Sequence, residues 1–430
     1  MHLIIHRGTK EIGGSCVELK SKNTRILIDF GMPLVDTAGK KFDSNILKHK
    51  TIDQLKALKI LPDIKGLYKN DKKEIDAIIL SHSHLDHYGL FSYVNPEIPI
   101  YMSRGAKELI EISDIFIPTK IGKINAKVID KLKPFTIGDI KIRPYLVDHS
   151  AFDALAFLVE ADGKRIFYSG DFRGHGRKSI LFLRMIKNPP KNIDCLMMEG
   201  STLGRDDKEI VDEETVQKMI EDVLARTSNI MFISASSQNI DRLVSAYKAC
   251  IHTDSIFVID LYTAFILDRL KAISKGIPQY NWKNMRVKYF KYHADCLVKA
   301  GFKTLLYKYN SRKIEMDEIN RKQSHILMLL RDNSIFDAVI NNLRSAYPIL
   351  IYSMWEGYLK KEFIEKCLQK GIRIAQMHTS GHAYPSDLKK FASVMAPKVL
   401  IPIHTFSSAR YKELFKGKIN ILKDGEVYSV

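Results

Sequence analysis

One short polar run constrains this chain more than any other feature. Residues 81–87 read SHSHLDH and directly follow an apolar segment, 75–80, that predicts a buried strand. Packing does not explain the run, because neutral imidazole and ionised carboxylate gain little from burial unless something binds them. Both groups are ligands of Zn²⁺, and two such ions a few Å apart can activate water and hold a phosphate. The spacing suits two cations, with candidate ligands His82 and His84 for the first and Asp86 and His87 for the second.

Composition limits the class of protein. A chain of 430 residues with 45% hydrophobic residues is long enough for two domains, each with its own core. The formal net charge of +18 indicates a polyanionic partner such as nucleic acid, or a lysine-rich surface without such a partner. No apolar run is long enough to span a membrane, and the amino terminus lacks a signal-peptide layout. The five cysteines are scattered, which favours a reducing compartment, so we expect a cytoplasmic protein without a membrane contact.

The pattern His-x-His-x-Asp-His after a strand resembles the signature of the metallo-β-lactamase superfamily. The resemblance implies an α/β fold, an αββα sandwich with two zinc ions. Later segments continue the pattern: His149 follows the predicted strand 140–145, and Asp171 follows the predicted strand 165–169. His149 would supply the third imidazole of the first zinc site, and Asp171 suits a carboxylate that bridges both ions. By the same resemblance, Asp29 would support the site through hydrogen bonds and not as a ligand.

The texture of the chain changes near residue 203. Strands then alternate with helices, which predicts a parallel α/β domain inserted into the first one. We therefore expect the first part of the sandwich at 1–203, the inserted domain at 204–371 and a return to the sandwich at 372–430. The polar, lysine-rich segment 34–73 is interpreted as a surface insertion with a helix at 51–58.

Three further motifs resemble the β-CASP branch of this superfamily, whose members process nucleic acids. Glu199 matches the first acidic motif, His382 in the run HTSGHA matches the second, and His404 matches the third. The order is similar to that of RNase J and of the endonuclease subunit of the mRNA 3′-end cleavage machinery. A histidine at the third motif is associated with RNA-processing members, whereas DNA nucleases of the branch carry an apolar residue there. Thr405-Phe406 departs from the Gly-Glu that usually follows in RNase J.

The resemblance also implies residue roles. His382 would be the general acid, oriented and kept protonated by Glu199. Ser380, Gly381 and, with a weaker claim, His378 would contact a phosphate of the substrate. The catalytic residues expected on this basis are His382, Glu199 and Asp86. The complete ligand set comprises His82, His84 and His149 for one zinc, Asp86, His87 and His404 for the other, and the bridging Asp171.

Candidate substrate contacts are less specific. Trp355 and Tyr358 follow a predicted strand and can stack on a base, although such aromatics more often belong to a core or an interface. Basic residues near the motifs, any of which can contact phosphate, are Arg173, Lys178, Arg205, Arg242 and Arg410.

The favoured function is a zinc-dependent ribonuclease acting on single-stranded RNA. The alternatives are a DNA or dual-specificity nuclease, a hydrolase of small substrates, and a partner-dependent RNA-binding scaffold without catalysis. A hydrolase of small substrates needs neither an inserted domain nor a charge of +18. The sequence leaves open whether the protein is a homodimer.

Overall fold

The computed structural model describes residues 1–36, 39–117, 121–130, 133–204, 211–344 and 347–430, and its strands form three sheets. The first sheet contains β1 (His2–Arg7), β2 (Cys16–Lys20), β3 (Arg25–Ile28), β4 (Ala77–Ile79), β5 (Ile100–Met102), β6 (Ala126–Val128) and β19 (Val427–Ser429), in the order β19-β1-β2-β3-β4-β5-β6. The second contains β7 (Phe135–Ile137), β8 (Ile140–Leu146), β9 (Leu155–Ala161), β10 (Lys164–Tyr168), β11 (Cys195–Glu199) and β18 (Val399–Ile403), in the order β18-β11-β10-β9-β8-β7.

These two sheets pack face to face around one core. Alternate residues of each strand point into it, as expected for paired sheets. Leu3, Val17 and Ile79 of the first sheet belong to the same buried cluster as Phe157 and Ile401 of the second. The contact excludes water from both inner faces.

Helices cover the two outer faces. In sequence order they are α1 (Ile46–His49), α2 (Ile52–Ala57), α3 (Leu85–Tyr88), α4 (Arg104–Phe116) and α5 (Ser179–Lys187), with α14 (Pro385–Met395) and α15 (Tyr411–Leu414) near the carboxyl terminus. Leu55 of α2 and Ile110 of α4 lie against the first sheet, while Met185 of α5 and Phe391 of α14 lie against the second. The layers are therefore helix, sheet, sheet, helix, and the expected α/β sandwich is confirmed.

The third sheet belongs to the inserted segment. It contains β12 (Met231–Ser234), β13 (Ile256–Asp260), β14 (Met285–Lys288), β15 (Ile326–Leu329), β16 (Ile349–Tyr352) and β17 (Arg373–Gln376), in the order β14-β13-β15-β12-β16-β17. Every pairing between these strands is parallel, so all six end at one edge. The helices of this segment are α6 (Glu213–Arg226), α7 (Ile240–His252), α8 (Leu261–Leu270), α9 (Lys291–Lys299), α10 (Lys303–Asn310), α11 (Met316–Arg321), α12 (Ser334–Ile340) and α13 (Lys361–Gln369).

Both faces of the third sheet are covered. Val216 of α6 and Leu243 of α7 pack on one face, and Phe336 of α12 and Phe363 of α13 pack on the other. Phe116 of α4 joins the first of these clusters, so the sandwich and the inserted segment share buried apolar contacts. Helices on both faces explain why the central strands β12, β15 and β16 of this sheet are almost entirely apolar.

Two expectations about the fold are corrected. The segment 372–377 does not return to the sandwich, because β17 pairs in parallel with β16 and completes the inserted sheet. The segment 34–73 is not only a surface insertion, because residues beyond the predicted helix pack against the first sheet. Solvent-exposed lysines between the apolar residues made this pattern hard to recognise in the sequence. The buried apolar side chains of the segment are Leu55, Ile60, Leu61, Ile64, Leu67 and Tyr68.

Among the described residues, no helix is both long enough and apolar enough to cross a membrane.

Candidate metal centre and catalytic residues

The polar motifs lie at the carboxyl ends of strands that run in the same direction. β3 and β4 are parallel neighbours, as are β10, β11 and β18, so the segments that follow them leave from one edge of the sandwich. β8 is antiparallel to β9, which is antiparallel to β10, so β8 also ends at that edge. The residues placed there are Asp29 after β3, residues 81–87 after β4, His149 after β8, Asp171 after β10, Glu199 at the end of β11 and His404 after β18.

The backbone at this edge takes unusual conformations. Asp29 has a φ of 61° and His404 a φ of 56°, in the left-handed region that residues other than glycine rarely adopt. Gly31 lies against the backbone of Asp86, where an added Cβ would come within 1.6 Å of the Asp86 carbonyl oxygen. Strained positions of this kind cluster at functional sites, where the surrounding structure holds them in place.

The first predicted ligand group is assembled. Nitrogen atoms of His82, His84 and His149 all lie within 4.8 Å of one another, and the Nε2 atom of His149 is 3.3 Å from the Nδ1 atom of His84. The Nδ1 atom of His149 donates to the Gly381 carbonyl at 2.5 Å, which leaves Nε2 facing the group. Burial lowers the pKa of all three imidazoles, that of His84 to about 4, and the neutral form is the one that binds metal.

The second predicted group lies beside the first. Asp86, His87, Asp171 and His404 also offer atoms within 4.8 Å of one another. The Oδ2 atom of Asp171 is 3.2 Å from His87 Nε2 and 3.4 Å from His404 Nε2, and it is 3.7 Å from His82 Nε2 of the first group. Asp171 therefore lies between the groups, the place expected for a bridging carboxylate. We call these seven residues the histidine–aspartate cluster.

The cluster fits a pair of metal ions. Its buried atoms His82 Nε2, His87 Nε2, His404 Nε2 and Asp171 Oδ2 have no hydrogen-bond partner within the described part of the chain. A buried polar atom without a hydrogen-bond partner lowers the stability of the folded state, so natural proteins rarely contain four of them in one place. Nitrogen and oxygen donors at these positions match the preferences of Zn²⁺, although the donor set alone does not single out zinc among divalent metals.

A buried hydrogen-bond network orients one candidate ligand, His87. Asp29 is fully buried and belongs to neither candidate ligand group. Its Oδ2 atom lies 2.8 Å from His87 Nδ1, and it also accepts hydrogen bonds from the hydroxyl groups of Ser81 and Tyr168, both at 2.8 Å. These contacts fix the His87 ring so that Nε2 points at Asp171. The sequence predicted the role of Asp29 but not those of Ser81 and Tyr168, which carried no separate signal.

Ser15 is a further residue that the sequence did not predict. Its hydroxyl oxygen is 2.9 Å from His404 Nδ1, and the Gly13 amide nitrogen lies 3.2 Å from the same atom. The tautomer of His404 decides whether Nδ1 accepts a hydrogen bond from the Gly13 amide or donates one to the Ser15 hydroxyl. A metal at Nε2 selects the tautomer in which Nδ1–H donates to Ser15. The only hint in the sequence was a glycine-rich turn, because Ser15 and His404 are 389 positions apart.

The predicted acid pair lies next to the cluster. His382 Nδ1 is 3.1 Å from Glu199 Oε2 and 3.7 Å from Asp171 Oδ2. Glu199 is buried and also accepts hydrogen bonds from the amide groups of Phe172 at 3.1 Å and Ser201 at 3.2 Å, so its carboxylate is held in one orientation. The structure thus brings His382, Glu199 and the histidine–aspartate cluster together.

The predicted phosphate contacts lie in the same loop but are already engaged. Ser380 Oγ accepts a hydrogen bond from the His382 amide at 3.0 Å. Gly381 leaves no room for a side chain, because a Cβ there would lie 2.5 Å from Ser150 Oγ. His378 Nδ1 is 3.3 Å from the Ser353 carbonyl, and burial lowers the pKa of this histidine to about 3. Contact between these residues and phosphate stays a prediction.

Two of the basic candidates are not phosphate contacts. Arg173 and Arg242 are fully buried, and both lie in a network of carboxylates between the sandwich and the inserted segment. Arg173 pairs with Asp148 at 3.3 Å, Glu213 at 3.4 Å and Asp241 at 2.7 Å, and it donates to the Ser380 carbonyl at 2.9 Å. Arg242 pairs with Glu213 at 3.1 Å. We call Asp148, Arg173, Glu213, Asp241 and Arg242 the ion-pair cluster.

The remaining substrate candidates differ in position. Lys178 Nζ lies 3.2 Å from Asp241, at the margin of the ion-pair cluster, and Arg410 is exposed. Arg205 lies outside the described residues. Trp355 and Tyr358 are 43% and 51% exposed, so they do not belong to a core.

Comparisons with known proteins agree with this fold. A family model described as a beta-lactamase superfamily domain matches residues 52–230. An RNase J-like protein from Methanocaldococcus jannaschii is 25% identical over 303 residues, 66% of this chain and 63% of that protein. Ribonuclease J from Helicobacter pylori is 22% identical over 442 residues, 98% of this chain and 60% of that protein. The transcription termination factor FttA from Methanothermobacter thermautotrophicus is 24% identical over 308 residues, 66% of this chain and 45% of that protein.

A solved structure extends the likeness in fold to nearly the whole chain. It is the crystal structure of a protein of unknown function from Enterococcus faecalis V583, with a TM-score of 0.78, 22% identity and coverage of 99% of both chains. A sandwich with candidate histidine and aspartate ligands at one edge is consistent with a domain of the metallo-β-lactamase type. Residues 52–230 resemble a beta-lactamase superfamily domain, and the relatives named above are consistent with the RNase J-like β-CASP branch. The chain spans 45% to 63% of the length of these three relatives.

Proposed function

We propose that this protein is a zinc-dependent ribonuclease that hydrolyses phosphodiester bonds of single-stranded RNA. The observation that carries the proposal is the position of Asp171. Its Oδ2 atom lies within 3.7 Å of His82 in one ligand group, of His87 and His404 in the other, and of His382 outside both. One carboxylate thus joins a two-ion site to a histidine suited to proton transfer.

The chain's own residues have distinct roles in this proposal. Bound zinc ions would activate a water molecule and neutralise charge that develops on the phosphate. His82, His84 and His149 would hold one ion, Asp86, His87 and His404 would hold the other, and Asp171 would be shared between the two groups. Asp86 is also assigned to catalysis, because its carboxylate is the most exposed one in the cluster, with 12% of the side chain accessible.

His382 supplies the proton for the leaving oxygen. Its Nδ1 atom faces the Glu199 carboxylate, so Nε2 is the atom that we assign to proton donation. The carboxylate favours the charged imidazolium and fixes the ring plane. The half-buried position of His382 suits this role, since the ring reaches solvent and the cluster at once.

RNA is the proposed substrate for two reasons. Two of the three relatives described above carry RNase J in their names, and a net charge of +18 favours a polyanion. The loop that contains His378, Ser380 and Gly381 is the proposed phosphate contact beside the reacting bond. The cytoplasm is the proposed compartment.

The test uses metal-loaded protein and labelled oligonucleotides of one sequence. RNA and DNA forms, each with a 5′-monophosphate or a 5′-hydroxyl, are incubated with the wild type, His382→Ala and a control, His252→Ala. His252 lies on α7 with 56% of its side chain exposed and pairs with Glu221, so its loss should not affect cleavage. We expect cleavage of RNA by the wild type and by the control, and none by His382→Ala.

Other outcomes separate the alternatives. Equal cleavage of DNA would replace the ribonuclease with a dual-specificity nuclease. Binding of RNA without cleavage of either oligonucleotide, at full zinc content, would favour an RNA-binding scaffold that needs a partner. The product ladder distinguishes internal cleavage from removal of terminal nucleotides. Light scattering on the same samples shows whether the active species is a homodimer.

A further inference from the structure

Two exposed aromatic residues lie at the same sheet edge as the loop that contains His382. β16 and β17 are parallel neighbours, so the segments after them leave the third sheet side by side. Trp355 and Tyr358 follow β16, and residues 377–383 follow β17. The segments touch directly, because Gln376 Nε2 donates to the Met354 carbonyl at 2.8 Å and His378 Nδ1 lies 3.3 Å from the Ser353 carbonyl.

The two rings form one rigid unit. Their centroids are 5.2 Å apart and their planes meet at 87°, an edge-to-face arrangement. The Tyr358 amide donates to the Trp355 carbonyl at 3.0 Å, which closes a tight turn. The indole lies flat on Gly357, where an added Cβ would come within 2.4 Å to 2.6 Å of three ring carbons. The turn therefore holds the indole in one orientation.

The chemistry of this surface suits a nucleobase. Trp355 and Tyr358 remain 43% and 51% exposed, so part of each ring is accessible to a base. Lys360 and Lys361 follow at once and are exposed, as are the carboxylates of Glu356 and Glu362, so basic side chains lie beside the rings without a net positive charge. Aromatic rings beside basic side chains are the recurrent way in which proteins bind single strands without reading sequence.

We propose that Trp355 and Tyr358 form a stacking subsite for a base of the single-stranded nucleic acid whose backbone passes His378 and His382. The inference deepens the proposed function, on which it rests, by naming a part of the inserted segment that contacts bases. The subsite supplies affinity and orientation for the strand, and it takes no part in bond cleavage.

Intrinsic fluorescence tests this subsite directly. The chain has two tryptophans, so Trp282→Phe leaves Trp355 as the only fluorophore of this type. This variant, combined with His382→Ala to prevent cleavage, is titrated with a single-stranded RNA and with an abasic oligomer of the same length and number of phosphates. We expect saturable quenching of Trp355 by the RNA and none by the abasic oligomer, because stacking needs a base.

Binding affinity provides a second, independent readout. In the His382→Ala background, Trp355→Ala should raise the Kd for RNA roughly tenfold or more, whereas Trp355→Phe should largely restore binding because phenylalanine still stacks. Tyr347→Ala is the matched control. Tyr347 is 72% exposed and lies just before β16, at the opposite end of the same strand, so its loss should leave the Kd unchanged.

The outcomes separate this inference from the proposed function. Quenching and the affinity loss without hydrolysis by the wild type would keep the subsite and overturn the ribonuclease. Hydrolysis with an unchanged Kd in Trp355→Ala would overturn the subsite and keep the ribonuclease. Equal quenching by RNA and the abasic oligomer would also overturn it, because phosphate contacts alone would then explain the signal. So would an equal loss of affinity in Tyr347→Ala.

Discussion

Two buried polar clusters of this protein look alike by composition and differ in one respect. The histidine–aspartate cluster and the ion-pair cluster both contain ionisable side chains that are almost wholly removed from solvent. In the first, four ring or carboxylate atoms have no hydrogen-bond partner, whereas none of the ion-pair cluster's side-chain atoms is without one in the described residues. A ligand from outside is needed to satisfy the first cluster, and the second satisfies itself.

The difference separates function from stability. Buried charge is tolerated only when it is paired, and breaking such a pair leaves an uncompensated charge in the interior. The ion-pair cluster should therefore be sensitive to truncation at the level of folding. The histidine–aspartate cluster should lose metal and activity first, because its members contribute few protein–protein contacts without a metal.

The largest expected effect is loss of activity in His84→Ala. The side chain is half-buried and neutral, since burial lowers its pKa to about 4, so removing it leaves no unpaired charge. We expect hydrolysis to fall by at least about 10³-fold and zinc content to fall from two ions per chain to one. The unfolding free energy of the metal-free protein should change by about 1 kcal/mol or less. Metal analysis and urea unfolding measure the last two, and full zinc content in the variant would refute the assignment.

The ion-pair cluster should show the reverse pattern. Arg173→Met removes the guanidinium that pairs with Asp148, Glu213 and Asp241. We expect the unfolding free energy in urea to fall by about 3–5 kcal/mol. Arg184→Met is the matched control, because Arg184 lies exposed on α5 and should contribute about 0.5 kcal/mol or less. A loss in Arg173→Met no greater than in the control would mean that the buried pairs are dispensable.

The ion-pair cluster should also set an acid limit on stability. Burial alone would raise the pKa of Glu213, but the guanidinium groups of Arg242 and Arg173 outweigh it and lower the pKa to about 2. An unfolded glutamate titrates near 4.3, so this contribution is complete above about pH 5 and is lost as the pH falls towards 2. It is worth roughly 3 kcal/mol. The difference in unfolding free energy between wild type and Glu213→Gln should shrink over that interval, and a constant difference would argue against the charge of Glu213.

The smallest expected effect links a hydrogen bond to metal affinity. Ser15→Ala removes the hydroxyl that lies 2.9 Å from His404 Nδ1. Zinc affinity should fall about tenfold, because the partner of a metal-bound imidazole holds its tautomer and orientation. Competition with a chelator measures the change. The matched control is Ser44→Ala, since Ser44 lies in the exposed segment before α1, and equal affinities in both variants would contradict the role of Ser15.

Local patterns in the sequence were enough for much of the fold. The helix Glu213–Arg226 begins directly after a capping Asp212 and has an amphipathic period, both of which are local features of the sequence. The elements between 271 and 345 were not predicted, since short helices with weak periodicity alternate with loops there. β17 was assigned to the sandwich because an apolar strand carries no mark of the sheet that it joins; only its pairing with β16 decides this.

The candidate ligands could also be predicted from local patterns in the sequence. Each candidate ligand follows a strand or lies in one dense motif, and a histidine or aspartate at a strand end is an unusual choice unless something binds it. In the structure, His82 and His87 of one motif and His404 of another lie around Asp171. The identity of the metal and the catalytic roles remain predictions.

The sequence alone determined which residue types stand at the ends of the strands, because strand periodicity and ligand chemistry are local properties. Only the tertiary structure decided what each buried charge meets. Arg173 and Arg242 read as phosphate contacts in the sequence, yet the fold places them against carboxylates 68 and 29 positions away, Asp241 and Glu213. A charged residue has the same sequence signature whether it faces water, phosphate or a buried partner. The free energy of burial selects among these, and the path of the chain sets that burial.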